Sequence, residues 1–175
     1  MTEQSIDPDR ILATISPSAP RRMMGIIVLC TLGVAVLYLA IAKPPAELHW
    51  RVFLLILGAG TLYLSESLRR NTEHGLELTS EVLRESGGRV VARVDSIIRV
   101  ERGTFAVKPS NGFLLQLSEP EAGNRWAPGL YWRLGRRIGV GGITAAHETK
   151  AVAEILAALI AARAVAALEE SAAQD

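Results

Sequence analysis

Residues 23–42, MMGIIVLCTLGVAVLYLAIA, run for twenty positions without a charged side chain. As an α-helix rising about 1.5 Å per residue, this segment reaches roughly 30 Å, the thickness of a bilayer's hydrocarbon core. A helix on the surface of a soluble domain keeps a polar face, and this one has none. The rest of a 175-residue chain is too small to wrap it on every side. The segment predicts a transmembrane helix.

A second apolar stretch opens with Trp50 and Arg51 and continues through VFLLILGAGTLYL to Ser65. Its uncharged core, residues 52–65, is short for a span by itself. Trp50 and Arg51 suit one headgroup region, and Tyr63, Arg69 and Arg70 suit the other, so snorkelling side chains lengthen it. Between the stretches lie only KPPAELH, and Pro44 and Pro45 cannot continue a helix. The expectation is an antiparallel hairpin over residues 21–70, with spans at about 23–42 and 50–68. Thr31 and Ala35, and likewise Thr61 and Ser65, stand at small-xxx-small spacing, while Gly33, Gly58 and Gly60 permit close helix approach. These seven are candidate helix-packing positions, serving either the hairpin itself or a neighbouring membrane protein.

Arg21 and Arg22 precede the first span and Arg69, Arg70 and Arg84 follow the second, whereas the connecting turn holds only Lys43 and the interfacial Arg51. The positive-inside rule then puts both termini in the cytoplasm of a cell whose inner membrane the hairpin crosses twice. Ala40-Ile41-Ala42 resembles a signal-peptide cleavage site, but the apolar run exceeds an ordinary h-region and another span follows at once. Residues 1–20, with Pro8, Pro17 and Pro20 and no periodicity, read as a flexible tail.

From Leu76 the texture becomes that of short strands. LELT alternates, Gly87-Gly88 marks a turn, and RVVARV, IIRVER and TFAVK follow. Residues 109–112, PSNG, form the strongest hairpin turn, and FLLQL, LYWRL and RIGV complete the series around a polar loop at residues 119–128. Beyond Thr144, a plausible N-cap, Val152, Ile155, Leu156, Leu159 and Ile160 repeat at helical spacing. A third span is the alternative for this helix, but Glu154 and Arg163 interrupt it and alanine drives insertion weakly. The predicted fold class is thus a membrane α-helical hairpin plus an α+β cytoplasmic domain. In that domain, over residues 71–168, a bent antiparallel sheet is closed by one C-terminal amphipathic helix at about 145–168, before a tail at 169–175.

LELTSEVLRE, at residues 76–85, is similar to the opening strands of the bacterial pleckstrin-homology-like (PH-like) domain family. DSIIRV, at residues 95–100, resembles that family's recurring D-x-I-x-x-V strand, and GVGGITAAHETK, at residues 139–150, its closing strand, glycine turn and helix start. The resemblance covers residues 76 to about 165 and implies a PH-like domain without catalytic residues. Such domains occur on short membrane hairpins in bacteria, and related ones in photosynthetic-complex assembly factors.

The side chains offer little chemistry. One cysteine excludes an intramolecular disulfide framework, and Cys30 lies within the first span, where a thiolate is disfavoured. His49, His74 and His147 share no metal-binding spacing. GVGG before a helix departs from both the Walker and the dinucleotide patterns, since Ile143-Thr144 stands where Lys-Ser/Thr or the last Gly is required. No catalytic residue, metal or cofactor is expected. Lys and Arg number 19 against 18 Asp and Glu, so no whole-chain excess of charge points to nucleic acid. Residues 84–137, however, carry ten Lys or Arg against five acids. Within that segment Arg89, Arg93, Arg99, Arg102, Arg133, Arg136 and Arg137 are candidate contacts to anionic lipid or a protein partner. The expected role is a membrane-anchored interaction module, a scaffold, accessory subunit or assembly factor that binds a membrane protein or another copy of itself. Sensing of anionic lipid headgroups is the alternative.

Overall fold

The structure, a computed structural model, describes residues 9–102, 109–120 and 123–172. Its elements are β1 (Ala13–Ile15), α1 (Ala19–Ala42), α2 (Leu48–Asn71), β2 (Leu76–Leu78), β3 (Val82–Glu85), β4 (Val90–Arg93), β5 (Ile97–Glu101), β6 (Phe113–Leu117), β7 (Arg125–Ala127), β8 (Tyr131–Leu134), β9 (Arg137–Val140) and α3 (Ala146–Ala172). All three helices are long and apolar enough to cross a membrane.

α1 and α2 form the antiparallel hairpin. Pro20 sits in the first turn of α1, where its missing N–H is not needed, so the helix starts upstream of the apolar run. The helices cross where two glycines face each other. A Cβ at Gly33 would stand 2.7 Å from Leu62 Cδ2 and 3.2 Å from the Gly58 carbonyl. A Cβ at Gly58 would meet Leu37 Cγ at 2.6 Å. Lower in the seam Ser65 is buried, 3.1 Å from Cys30 Sγ, and its hydroxyl donates to the Ile26 carbonyl.

Among the described residues nine strands make two antiparallel sheets, ordered β1-β2-β3-β4 and β5-β6-β9-β8-β7. Their inner faces share one core, in which Ile15, Leu76, Leu83, Val91, Phe113, Leu115, Ile138 and Leu156 are among the buried side chains. Burial of such a core, at about 25 cal/mol per Å² of apolar surface, is the main source of the domain's stability. α3 closes it by packing Val152, Ala153 and Leu156 inward, with Ile155, Leu159 and Ile160 at the margin.

Four features differ from the sequence reading. Ala13–Ile15, expected within a flexible tail, is an edge strand whose Ile15 is wholly buried. Residues 125–127, expected as loop, form β7 on the far edge of the five-stranded sheet. The C-terminal helix continues to Ala172, through most of the expected tail, because LEESA adds good helix formers and no breaker. Thr144 does not cap it: its hydroxyl is buried without a hydrogen bond among the described residues, while its backbone bridges to Pro17. The strand expected at TFAVK lies outside the described residues.

Candidate interaction surface

Contacts at the hairpin junction give the sheet domain two ends. Ser18 N–H donates to the Ile143 carbonyl, Arg21 donates to the Thr144 carbonyl at 3.4 Å, and Arg22 to the Thr72 carbonyl at 3.1 Å. Gly129, in the turn between β7 and β8, lies so near α2 that a Cβ there would stand 2.7 Å from Leu68 Cδ1. Its φ of +80° also favours glycine. The Ser16 N–H donates to Glu148 in the first turn of α3. The Ser18, Arg21 and Gly129 contacts thus hold the open end of the hairpin against one end of the domain, while the Arg22 bond ties α1 to the end of α2 within the hairpin. The turn between β8 and β9, at Gly135 and Arg136, marks the other end.

This polarity sorts the seven candidate arginines. Arg89 lies in the turn between β3 and β4, where Ser86 N–H bonds the Gly75 carbonyl just past α2, so it is on the hairpin side. Arg102, also toward that side, reaches Glu154 at 3.2 Å and the Lys150 carbonyl. Arg93 ends β4 at the remote end and pairs with Asp95 at 3.2 Å. Its hydrogen bonds hold the Asp95 carboxyl below the usual carboxylate range. Arg136 and Arg137 are remote too and exposed, and neither makes a side-chain hydrogen bond or ion pair among the described residues. Arg99 lies between the ends, 3.7 Å from Glu101. Arg133 turns inward from β8 and donates to the carbonyls of Gly123 and Val91. The seven do not share one face.

Of the seven candidate helix-packing residues, Gly33, Gly58 and Ser65 meet in the seam. Thr31, Ala35 and Gly60 are exposed on the hairpin's outside, and Gly60 has nothing within 4 Å of where a Cβ would stand. Thr61 bonds back to its own helix at the Leu57 carbonyl.

The strongest surface feature involves a residue that sequence reasoning passed over. Register pairs Trp126 with Trp132, and Trp132 with Gly139; one step along, Leu134 pairs with Arg137. Directly opposed residues share a face, and i,i+2 neighbours do as well. Trp126, Trp132, Leu134 and Arg137 therefore stand together on the outer face of the sheet. Gly139 lets the Trp132 indole lie across the backbone, because a Cβ there would collide with the ring. Trp126 is 67% exposed and Leu134 63%, and together with Asn124, Arg125, Trp132 and Arg133 they line an open groove. A tryptophan within a polar stretch next to Pro-Gly was the available signal.

Behind this face, Tyr131 and Arg125 reach across to the other sheet. The Tyr131 hydroxyl donates to Glu85 at 2.6 Å, and Arg125 pairs with the same carboxylate at 3.1 Å. Burial first, and then the bond to Glu85, push the Tyr131 phenol up to about 12. The cluster clips β3 to β7 and β8. Among the described residues no group of three or more His, Cys, Asp and Glu is placed to hold a metal ion. Comparison with family models, curated proteins and solved structures finds no match.

Proposed function

We propose that the chain is a non-catalytic, membrane-anchored interaction module, serving a membrane protein complex as scaffold, accessory subunit or assembly factor. In this reading α1 and α2 cross the inner membrane, both termini are cytoplasmic, and the two-sheet domain is of the PH-like kind. The observation that carries it is the outer face of the five-stranded sheet. Trp126, Trp132 and Leu134 stand there beside Arg136 and Arg137, and no described element covers them. Trp and Arg are the residues that dominate binding energy at protein interfaces. The docked hairpin end supports the same reading, since it would present this face in a fixed attitude to the bilayer.

Affinity purification from native membranes in mild detergent, compared between wild type and Trp126→Ser, tests the proposal. A partner recovered with the wild type and lost from the variant is the expected result. Repeated recovery of the protein alone, at monomer mass, contradicts it.

The alternative, lipid sensing by a basic face, is weaker because the arginines divide between the two ends. β8 and β9 are each about 10 Å long at 3.3 Å per residue, so Arg136 and Arg137 stand beyond a physiological Debye length of about 8 Å from the hairpin side. Preferential binding to anionic over neutral vesicles that is lost in Arg136→Ala/Arg137→Ala would revive that reading.

A further inference from the structure

We propose that the distal turns of α3 from one copy of this chain dock on the Trp126 face of a second copy. The inference rests on reading that face as an interaction surface, and it names the occupant. Four observations lead to it.

The sheets cover only the first half of α3. Every residue from Ala161 to Ala172 is exposed, and among the described residues the one tether in that stretch is the Arg163 guanidinium, which donates to the Val94 carbonyl at 2.9 Å. Three helical turns, about 18 Å, therefore project beyond the domain.

The projecting turns carry a stripe of their own. Ala161, Val165, Leu168 and Ala172 recur at i, i+4, i+7 and i+11, with Val165 53% and Leu168 71% exposed. At about 100° per residue the stripe points to the side opposite Val152, Leu156 and Leu159. The helix's own sheet cannot bury both. The alanines in the stripe would let a helix lie close against a flat aromatic surface.

Charge complements shape. Glu169 follows Leu168 and, at about 100° per residue, flanks the stripe, whereas Glu170 turns to the opposite side of the helix; on the sheet face Arg137 stands opposite Leu134. Neither Glu169 nor Arg137 makes an ion pair among the described residues. Seating Val165 and Leu168 against Trp126, Trp132 and Leu134 brings these two opposite charges to the rim of one contact.

Position argues for a second copy over the same one. α3 packs along β1, β5 and β6, whereas Trp126 is on β7, the opposite edge from β5. Four strand spacings of about 4.8 Å separate those edges, so the helix cannot reach its own groove while its first half stays packed. Both the projecting turns and the turn between β8 and β9 lie at the end remote from the hairpin. Two copies held by hairpins in one membrane would therefore present both on the side away from the hairpins.

The test uses the full chain in mild detergent or nanodiscs. Wild type should self-associate with concentration. Arg137→Glu alone, and Glu169→Arg alone, should each weaken association by at least about tenfold, since like charges then meet across the contact. Combining both reversals in one chain should restore it, which a folding defect would not do. A photo-crosslinker at Leu168 should capture Trp126-containing peptides of a differently isotope-labelled copy. Monomeric wild type at every concentration overturns the proposal, and so does association that both reversals leave unchanged. A monomeric wild type that still recovers a Trp126-dependent partner from native membranes overturns self-association and leaves the interaction-module reading standing. Absence of any Trp126-dependent partner, self or other, overturns both.

Discussion

Tyr131→Phe removes one hydroxyl from the clip between the sheets and leaves the ring's volume in place. The phenol is 2% exposed and bonds a carboxylate that Arg125 also holds. A hydrogen bond to a charged group contributes about 1.5–3 kcal/mol. The variant should lose that much stability at pH 7, because Glu85 keeps Arg125 and little reorganisation offsets the loss. The pH dependence supplies a second, independent magnitude. Tyr131 titrates near 12 in the folded protein against an unfolded value of about 10. A raised folded pKa means the contribution is complete below about pH 10 and is lost as pH rises through about 12. A rise from about 10 to about 12 corresponds to roughly 3 kcal/mol. The wild-type advantage over Tyr131→Phe should therefore be flat from neutral pH to about 10, and then shrink by nearly all of its value by about 12. Denaturant unfolding of the full chain in one detergent, followed by near-ultraviolet circular dichroism of the domain, measures both proteins side by side. A neutral-pH difference under about 0.5 kcal/mol, or one that stays constant across the alkaline range, refutes the reasoning.

Two further outcomes follow from the packing. Gly58→Ala should destabilise the hairpin, because overpacking costs about 1–3 kcal/mol and exceeds the helix-propensity gain of about 1 kcal/mol, whereas Gly60→Ala keeps that gain without a clash. Thermal unfolding in micelles should rank Gly60→Ala at or above wild type and Gly58→Ala below it; the reverse order contradicts the crossing at Gly33 and Gly58. Ile15→Ala should cost about 2–5 kcal/mol, the loss of a buried core side chain, despite its place in a Pro-flanked N-terminal segment. Unchanged chemical stability would show that β1 is no part of the core.

The sequence makes the helices legible and the edges of the sheets opaque, for physical reasons. A charge-free run and the Pro44-Pro45 break are local signals, and they place α1 and α2 to within a few residues. FLLQL and RIGV coincide with β6 and β9 because β-branched and apolar residues between turns are also local. β1 has no such signal. Its three residues pair with β2 across the whole hairpin, Ala13 opposite Leu78, and only that distant partner makes them a strand. β7 is equally short and flanked by polar residues, so its identity depends on Tyr131 to Arg133 opposite it. The candidate surface followed the same rule. Counting arginines along the chain detects a basic segment, but strand register divides those arginines between two ends and two faces. The exposed aromatic pair at Trp126 and Trp132 emerges only when β7 is laid beside β8.

The claim beneath the whole account is a two-span hairpin that holds the sheet domain at the cytoplasmic face. Paired reporter fusions test it most directly, one active only in the cytoplasm placed after Asp175 and one active only outside placed in the turn at residues 44–47. Both should be active in the same cells. An inactive cytoplasmic reporter after Asp175 would mean that α2 does not cross, or that the arginines flanking the hairpin do not set its orientation. The Trp126 face would then look onto a different compartment from the one proposed.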